Sequence, residues 1–259
     1  MDHNTESHPG SPLAIEIKGY SKKYDKFYAV RGLNLEIRKG TFFGFVGPNG
    51  AGKSTTINSI VGLVKPTDGL IKVAGFDIIR QPLEAKAHIG FMPEETVLYE
   101  RLTAMEYLDF VGNMYAIPQD EVTRRSIELL KLLDLDHDKL MGAFSLGMKK
   151  KASLAAALIH QPSVIILDEP FSGIDATTSH RIRVTLNRMV DEGTTVFFSS
   201  HVLETVERIS REIGIINKGQ LLATGTLPQM REKAKCEPDA SLEEVFLTLV
   251  GSQEGCESE

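Results

Sequence analysis

The sequence predicts an α/β fold with an N-terminal antiparallel β lobe and an inserted α-helical lobe. Apolar and polar residues alternate in "LAIEIKGY" (13–20) and "LNLEIRKG" (33–40), a pattern typical of half-buried strands. Continuous apolar runs predict fully buried strands at 42–47, 163–169 and 194–200. The chain from 97 to 161 has helical periodicity instead. Strands that alternate with helices around such an insertion indicate an α/β core.

Length and charge exclude several classes of protein. The chain has 259 residues, 42% hydrophobic and 25% charged, which allows one large domain with a substantial core. Its net charge of −6 argues against a general nucleic-acid binder, so we expect no nucleic-acid partner. The 2 cysteines have no metal-site spacing and predict no disulfide framework. No apolar run approaches the roughly 18 residues that cross a bilayer.

A phosphate-binding loop is predicted at "GPNGAGKST" (47–55), between a buried strand and a helix. The glycines let the backbone curl so that successive N–H groups surround a β-phosphate. Lys53 would reach the β- and γ-phosphates, and the Ser54 hydroxyl would bind Mg²⁺. The predicted nucleotide-binding residues here are Gly47, Pro48, Asn49, Gly50, Ala51, Gly52, Lys53, Ser54 and Thr55.

Two carboxylates end the buried strand in "VIILDEP" (164–170). Asp168 can hold the hydration shell of Mg²⁺, and Glu169 can orient and deprotonate an attacking water. The alternative is an acidic pair that caps the turn before the proline, but the phosphate loop in the same chain favours the magnesium and water roles. His201, in "SSH" (199–201), ends another buried strand and can donate a hydrogen bond to the γ-phosphate, although a lone histidine is more often structural.

A second segment suited to an anion lies at "FSLGMKKK" (144–151). Ser145 offers a hydroxyl, Gly147 permits close backbone approach, and the following helix contributes its positive end. Three lysines can add to the positive field, or some of them can lie in solvent or face a partner: Lys149, Lys150 and Lys151.

In the order of these motifs the chain resembles the ATP-binding cassette (ABC) ATPases, in particular the exporter-type members. The resemblance extends over about residues 13–226 and rests on the phosphate loop, the signature-like "FSLGM", the Asp168–Glu169 pair, "SGID" (172–175) and His201. It implies a P-loop NTPase (RecA-like) core, with ATP and Mg²⁺ as cofactors.

The domain organisation that follows from this resemblance has three parts. The ABC ATP-binding domain occupies 13–226, with its helical subdomain at about 95–161. A disordered leader precedes it at 1–12. A short C-terminal extension follows at 227–259, with an amphipathic helix at 242–250 that begins with a capping box and is expected to dock on its own domain.

The resemblance also implies roles for individual residues. Tyr24 would stack on adenine, with Tyr20, Phe27 and Tyr28 as competitors. Ser145, Gly147 and Asp175 would also bind nucleotide. The signature segment, "FSLGM" (144–148), would act on the γ-phosphate of the nucleotide held by a second cassette. The expected metal ligands are Ser54, Glu94 and Asp168. The expected catalytic residues are Lys53, Glu169 and His201.

Two positions depart from the family pattern. Leu146 stands where the family usually has glycine, so a positive φ or a close backbone approach there would be strained. Glu94, in "FMPEE" (91–95), stands where the family has a glutamine that contacts magnesium and senses the membrane partner. A carboxylate still supplies an oxygen ligand, but it adds a negative charge beside the triphosphate.

The implied function is that of the ATP-hydrolysing subunit of a membrane transporter. Two cassettes, identical or merely similar, would pack head-to-tail around two ATP–Mg²⁺ and drive a separate transmembrane permease from the cytoplasmic face of the cell membrane. The short tail favours export. The alternatives are a regulatory nucleotide-binding switch without significant hydrolysis, suggested by Leu146 and Glu94, and a soluble ABC ATPase that acts on the ribosome or DNA. The single P-loop, the acidic charge and the lack of sustained heptads argue against the latter.

Overall fold

The computed structural model describes residues 12–256, which form two β-sheets and a set of flanking helices. The predicted leader at 1–12 lies outside the described residues except for Pro12. The four-stranded sheet has the order β2-β1-β4-β5 and is antiparallel. Its strands are β1 (Leu13–Tyr24), β2 (Phe27–Arg38), β4 (Asp68–Val73) and β5 (Phe76–Asp77).

The first two strands are longer than predicted and form a hairpin in which Tyr24 pairs with Phe27. Asp25 forms the tight turn between them, with a φ of 51°. The alternation seen in the sequence buries Ile15 and Ile17 on one face of the hairpin. A shift in strand register between Ile17 and Tyr20 accompanies the burial of Tyr20, which is out of phase with them.

The second sheet is the α/β core, with the order β10-β9-β3-β8-β7-β6. Neighbouring strands from β6 to β9 are parallel, and β10 is antiparallel to β9. The strands are β3 (Phe42–Val46), β6 (Ile89–Met92), β7 (Val164–Leu167), β8 (Thr195–Ser200), β9 (Glu212–Asn217) and β10 (Gln220–Gly225). The last two strands form a hairpin, in whose turn Lys218 and Gly219 both have positive φ, 45° and 75°.

The continuous apolar run of β3 reflects burial on both faces. Phe43 and Phe45 belong to the core that β3 shares with the antiparallel sheet. Phe42 and Val46 belong to the core on the opposite side, beneath the helices. A strand covered on both faces has no polar alternation, which explains why the sequence pattern identified it.

Helices flank this sheet and build the inserted lobe. Those beside the sheet are α1 (Lys53–Ile60), α2 (Pro82–Ala87), α6 (Ala176–Asp191) and α7 (Leu203–Ile209). Those of the lobe are α3 (Ala104–Met114), α4 (Gln119–Leu133) and α5 (Leu146–Leu158), with a 3₁₀ turn at Met141–Ala143. The helical pattern expected from residue 97 starts only at Ala104, because Thr103 and Glu106 form a capping box there. Among the described residues, no helix is both long and apolar enough to traverse a bilayer.

The C-terminal extension folds back onto the core. It contains α8 (Leu227–Ala234) and α9 (Leu242–Cys256), the latter extending beyond the predicted 242–250. Ser241 and Glu244 exchange the hydrogen bonds of the predicted capping box. Leu242 and Val245 are fully buried in the main core, so α9 docks on its own domain as expected.

Candidate nucleotide-binding site

The loop at 47–52 joins the carboxyl end of β3 to the start of α1. Parallel strands β3, β7 and β8 end at the same edge of the sheet, so the loops that follow them meet there. Two glycines are required by geometry. A Cβ on Gly47 would lie 2.2 Å from the carbonyl oxygen of Ile216, and Gly52 has a φ of 105°. A helix N-terminus at the end of such a loop is suited to phosphate.

Lys53 lies beneath this loop and is only 7% exposed. Its Nζ donates hydrogen bonds to the carbonyl oxygens of Gly47 at 2.8 Å and Pro48 at 3.3 Å. Burial lowers the pKa of the Lys53 ammonium, and three nearby carboxylates oppose that shift, those of Glu169, Asp168 and Glu94. The Lys53 ammonium is therefore held at the place where the loop would bind a triphosphate.

The two carboxylates after β7 are held by a side chain that the sequence patterns did not single out. Ser199, on β8, is fully buried, and its Oγ donates to Asp168 Oδ1 at 2.5 Å. The same Oγ accepts a hydrogen bond from the Glu169 backbone N–H at 3.0 Å. The polar end of the apolar run "TVFFSS" was the available signal. Ser199 thus fixes both Asp168 and Glu169 from the neighbouring strand.

Glu169 adopts an unusual backbone conformation, with a φ of 48°. Its carboxylate is buried, and its Oε1 lies 2.9 Å from His201 Nδ1. Non-glycine residues rarely occupy this left-handed region unless their surroundings hold them there. Strand ends that lie about 30 residues apart in sequence therefore bring Glu169 and His201 into direct contact.

A cleft of about 420 Å³ lies at this edge of the sheet. It is lined by Tyr24, Phe27, Ala29, Asn49, Gly50, Gly52, Lys53, Ser54, Thr55, Glu94, Glu169 and His201. These residues come from the antiparallel lobe, the phosphate loop and three strand ends of the α/β core. Most of the predicted nucleotide-binding and catalytic residues are thereby gathered around one space.

The signature segment lies elsewhere, where the N-termini of α5 and α6 approach each other. Ser145 caps α5 by accepting a hydrogen bond from the Met148 N–H at 3.3 Å. Asp175 caps α6 by accepting from the Thr178 N–H at 2.9 Å. A Cβ on Gly147 would lie 3.6 Å from the Asp175 carboxylate. None of these residues lines the cleft.

Leu146 and the following lysines differ from expectation. Leu146 is the first helical residue of α5, is 51% exposed and has no positive φ, so strain from a left-handed backbone does not arise there. Two of the lysines do not lie in solvent, since Lys150 and Lys151 are buried. The Lys150 and Lys151 ammonium groups are turned inward and bonded to backbone carbonyls. Lys149 pairs with Glu100 at 3.2 Å.

Comparison with known proteins assigns the family. The family model described as "ABC transporter" matches residues 30–172, which is more than half of the chain. The chain belongs to the ABC transporter family. Because its relatives are ATP-binding subunits and its structural neighbours are ATPase cassettes, it is an ATP-binding, ATP-hydrolysing cassette of a transporter.

Relatives of this ABC cassette include two proteins of Bacillus subtilis. A linearmycin resistance ATP-binding protein is 41% identical over 82% of this chain and 69% of its own length. An ABC transporter ATP-binding protein is 38% identical over 81% of this chain and 86% of its own length.

Solved structures agree with this fold. An ATP-binding subunit of an ABC transporter superposes with a TM-score of 0.86 at 32% identity, covering 92% of this cassette and 99% of the other chain. A dimeric ATP-binding cassette in a post-hydrolysis state, bound to ADP and Pi, gives a TM-score of 0.75 at 26% identity, covering 82% and 98%. The predicted fold class is confirmed.

Of the four aromatic residues expected to compete for stacking on adenine, two line the cleft. Tyr20 is fully buried and hydrogen-bonded to Ser59 at 2.6 Å, so its ring is not available. Tyr28 is flanked by Lys23 and Arg31 and does not line the cleft. Tyr24 and Phe27 both line it and are 46% and 67% exposed.

We expect Tyr24→Ala to raise the Kd for ATP at least about fivefold, because base–aromatic stacking is worth about 1–3 kcal/mol. Equilibrium titration with ATP measures this, with Phe27→Ala as the competing variant and Tyr28→Ala as the control outside the cleft. A larger loss in Phe27→Ala than in Tyr24→Ala would transfer the stacking role to Phe27.

Proposed function

We propose that this cassette hydrolyses ATP–Mg²⁺ at sites shared between two cassettes and thereby drives a transmembrane permease. The proposal rests on the separation of the phosphate loop from the signature segment within one chain. Lys53 and Glu169 line the cleft, whereas Ser145 and Gly147, at the start of α5, do not line it. One chain therefore presents two half-sites, and a second cassette packed head-to-tail would complete both.

The donor set of the cleft suits Mg²⁺, which prefers oxygen ligands. Ser54 is exposed in the cleft, Glu94 lines it, and Asp168 ends the adjacent strand with only its Oδ1 bonded to Ser199. These three residues would hold the ion, and when bound it would neutralise charge on the β- and γ-phosphates. The carboxylate at Glu94 adds a ligand of higher charge than an amide would.

The contacts and the burial of Glu169, just after β7, support its role as the general base. Its backbone is fixed by Ser199, its carboxylate is oriented by His201, and burial reduces competing contact with bulk water. Within residues 12–256, the Nε2 of His201 has no hydrogen-bond partner, which leaves it available to the γ-phosphate. Lys53 and the partner's signature segment would stabilise the charge of the transferring phosphoryl group.

A complementation experiment tests the shared site. Lys53→Met disables the cleft and Gly147→Val obstructs the signature segment, so each variant alone is expected to be inactive. In a mixed dimer, the cleft of the Gly147→Val chain faces the signature segment of the Lys53→Met chain, and both of these parts are unmodified. An equal mixture is therefore expected to regain turnover. The turnover of the unmodified chain is likewise expected to rise faster than linearly with protein concentration.

Other outcomes of the same experiment separate the alternatives. Full activity of Gly147→Val alone would mean that each chain contains a complete site, contrary to the proposal. ATP binding without turnover, at any concentration and in any mixture, would favour the binding-only switch that Glu94 suggested. Steady-state phosphate release and equilibrium ATP binding are the two readouts.

The permease contact is proposed on the helical lobe. An apolar groove between this lobe and the core is lined by residues that include Phe91, Val97, Tyr107, Val111 and Tyr115. Beside it Tyr99 and Phe110 are exposed and in edge contact, with ring centroids 5.6 Å apart. A contiguous exposed apolar surface of this kind favours a protein partner. We place the cassette at the cytoplasmic face of the cell membrane, and the linearmycin resistance relative favours export.

A further inference from the structure

The turn that follows Glu169 is held at its carbonyl groups by one buried cation. The Glu169 carbonyl accepts a hydrogen bond from the Ser172 N–H at 3.2 Å, which closes a four-residue turn. Lys150 Nζ donates to that same carbonyl at 2.8 Å and to the Ser172 carbonyl at 2.7 Å. The ammonium group therefore bonds the first and the last residue of the turn.

Lys150 reaches this turn from the signature helix. It belongs to α5, whose N-terminus carries Ser145 and Gly147, and it is only 3% exposed. Burial lowers the pKa of its ammonium, while the charges of Glu169 and Glu94 oppose that shift. A buried cation that satisfies two carbonyls is costly to remove, because both would lose a strong donor.

The left-handed backbone of Glu169 is thus held on both sides. Ser199 binds its N–H from β8, and Lys150 binds its carbonyl from α5. The contact with Ser199 joins Glu169 to β8, the strand next to β7 in the core sheet. The contact with Lys150 joins Glu169 to α5, whose N-terminus would touch the partner's nucleotide in a shared site. The turn then continues through Ser172 to Asp175, the cap of α6.

We propose that Lys150 is a positioning residue that ties the signature helix of one nucleotide site to Glu169 of the other. The inference rests on the proposed base role of Glu169. Engagement of the signature segment by a partner's nucleotide would fix α5, and Lys150 would transmit that placement to the backbone of Glu169. Misplacement of a catalytic group by about 1 Å can cost about 100-fold in rate, so a single contact suffices for a measurable effect.

The neighbouring Lys151 supplies a matched control. It is also buried, on the same helix, and its Nζ also donates to a backbone carbonyl, that of Asp134 at 3.1 Å. Asp134 lies at the end of α4 in the helical lobe and not in the turn after Glu169. Replacing either lysine by methionine removes a buried charge of similar size, but only one replacement releases Glu169.

The experiment compares Lys150→Met, Lys151→Met and Lys150→Arg in the full chain. Lys150→Met is expected to lower kcat about 10- to 100-fold while the KM for ATP changes less than about threefold, because the ATP-binding residues of the cleft stay in place. Lys151→Met is expected to lose thermal stability to a similar extent and to keep its kcat within about threefold. Lys150→Arg, which retains charge and several donors, is expected to restore part of the turnover.

A double-mutant cycle links the effect to Glu169. If Lys150 acts through Glu169, adding Lys150→Met to Glu169→Gln will lower residual single-turnover hydrolysis by much less than it does in the unmodified chain. Amide hydrogen exchange gives a readout that needs no turnover, since Lys150→Met should accelerate exchange of the Ser172 amide and Lys151→Met should not.

Three results would overturn the proposal. They are equal kcat losses in the two methionine variants, a rise in KM that accounts for the whole effect, and unchanged exchange at Ser172. If Glu169→Gln itself keeps full turnover, the base assignment fails instead, and that result is obtained independently of either lysine variant.

Discussion

Glu169→Gln is expected to lower kcat by at least about 100-fold while leaving ATP affinity within about threefold. Glutamine has the same shape but cannot accept the proton of an attacking water, and general-base catalysis contributes about 10²- to 10⁴-fold. The backbone contacts with Ser199 and Lys150 do not involve the carboxylate, so the fold should be unaffected. Because bound ATP then persists, the variant should accumulate as an ATP-bound dimer.

Phosphate release and size-exclusion chromatography with ATP–Mg²⁺ measure the two effects. Glu204→Gln is the control, since Glu204 is exposed on α7 and does not line the cleft. Wild-type turnover in Glu169→Gln would remove Glu169 from the base role. Loss of turnover without a dimer would leave that role intact but would contradict the proposed accumulation of a shared, ATP-filled site.

Lys53→Met is expected to weaken ATP binding by about 100-fold or more. The ammonium is held by the carbonyls of Gly47 and Pro48, and the nearby carboxylates are Glu169, Asp168 and Glu94. Without the Lys53 ammonium, the negative charges of these carboxylates would repel the triphosphate. Charged hydrogen bonds in such sites are worth about 1.5–3 kcal/mol each, and every 1.4 kcal/mol is a factor of ten in Kd.

Calorimetric titration with ATP measures this loss. Lys39→Met serves as the control, because Lys39 is exposed and precedes β3, at the end of the strand opposite to the loop. Methionine fills a similar volume but leaves the carbonyls of Gly47 and Pro48 without their donor, so the titration is made well below the melting temperature of the nucleotide-free variant. An unchanged Kd for Lys53→Met would contradict the assignment of the cleft as the ATP site.

Much of the site could be predicted because its chemistry is encoded in short, contiguous segments. The phosphate loop needs glycines at fixed spacing and a lysine at the start of the helix, and both requirements can be read from the sequence. The carboxylate pair needs only a buried strand that ends in polar residues. The order of such segments was sufficient to identify the family, which the comparisons confirm.

Side-chain direction could not be predicted in the same way. Three consecutive lysines look equivalent as letters, yet one pairs with Glu100, one binds the turn after Glu169, and one binds the end of α4. Helix rotation separates consecutive residues by about 100°. Which direction leads into the protein depends on where α5 packs, and sequence alone does not give that.

The sequence by itself determined the fold class, the family, the phosphate loop and the strand-end carboxylates, because each depends on local spacing and periodicity. Tertiary structure alone decided that Tyr24 and Phe27 line the cleft whereas Tyr20 is buried. It also decided that Ser199 and Lys150 hold Glu169, and that the signature segment does not line the cleft. These contacts join residues from different strands and helices. Their geometry follows from how the two sheets and the helical lobe pack, which no short segment specifies.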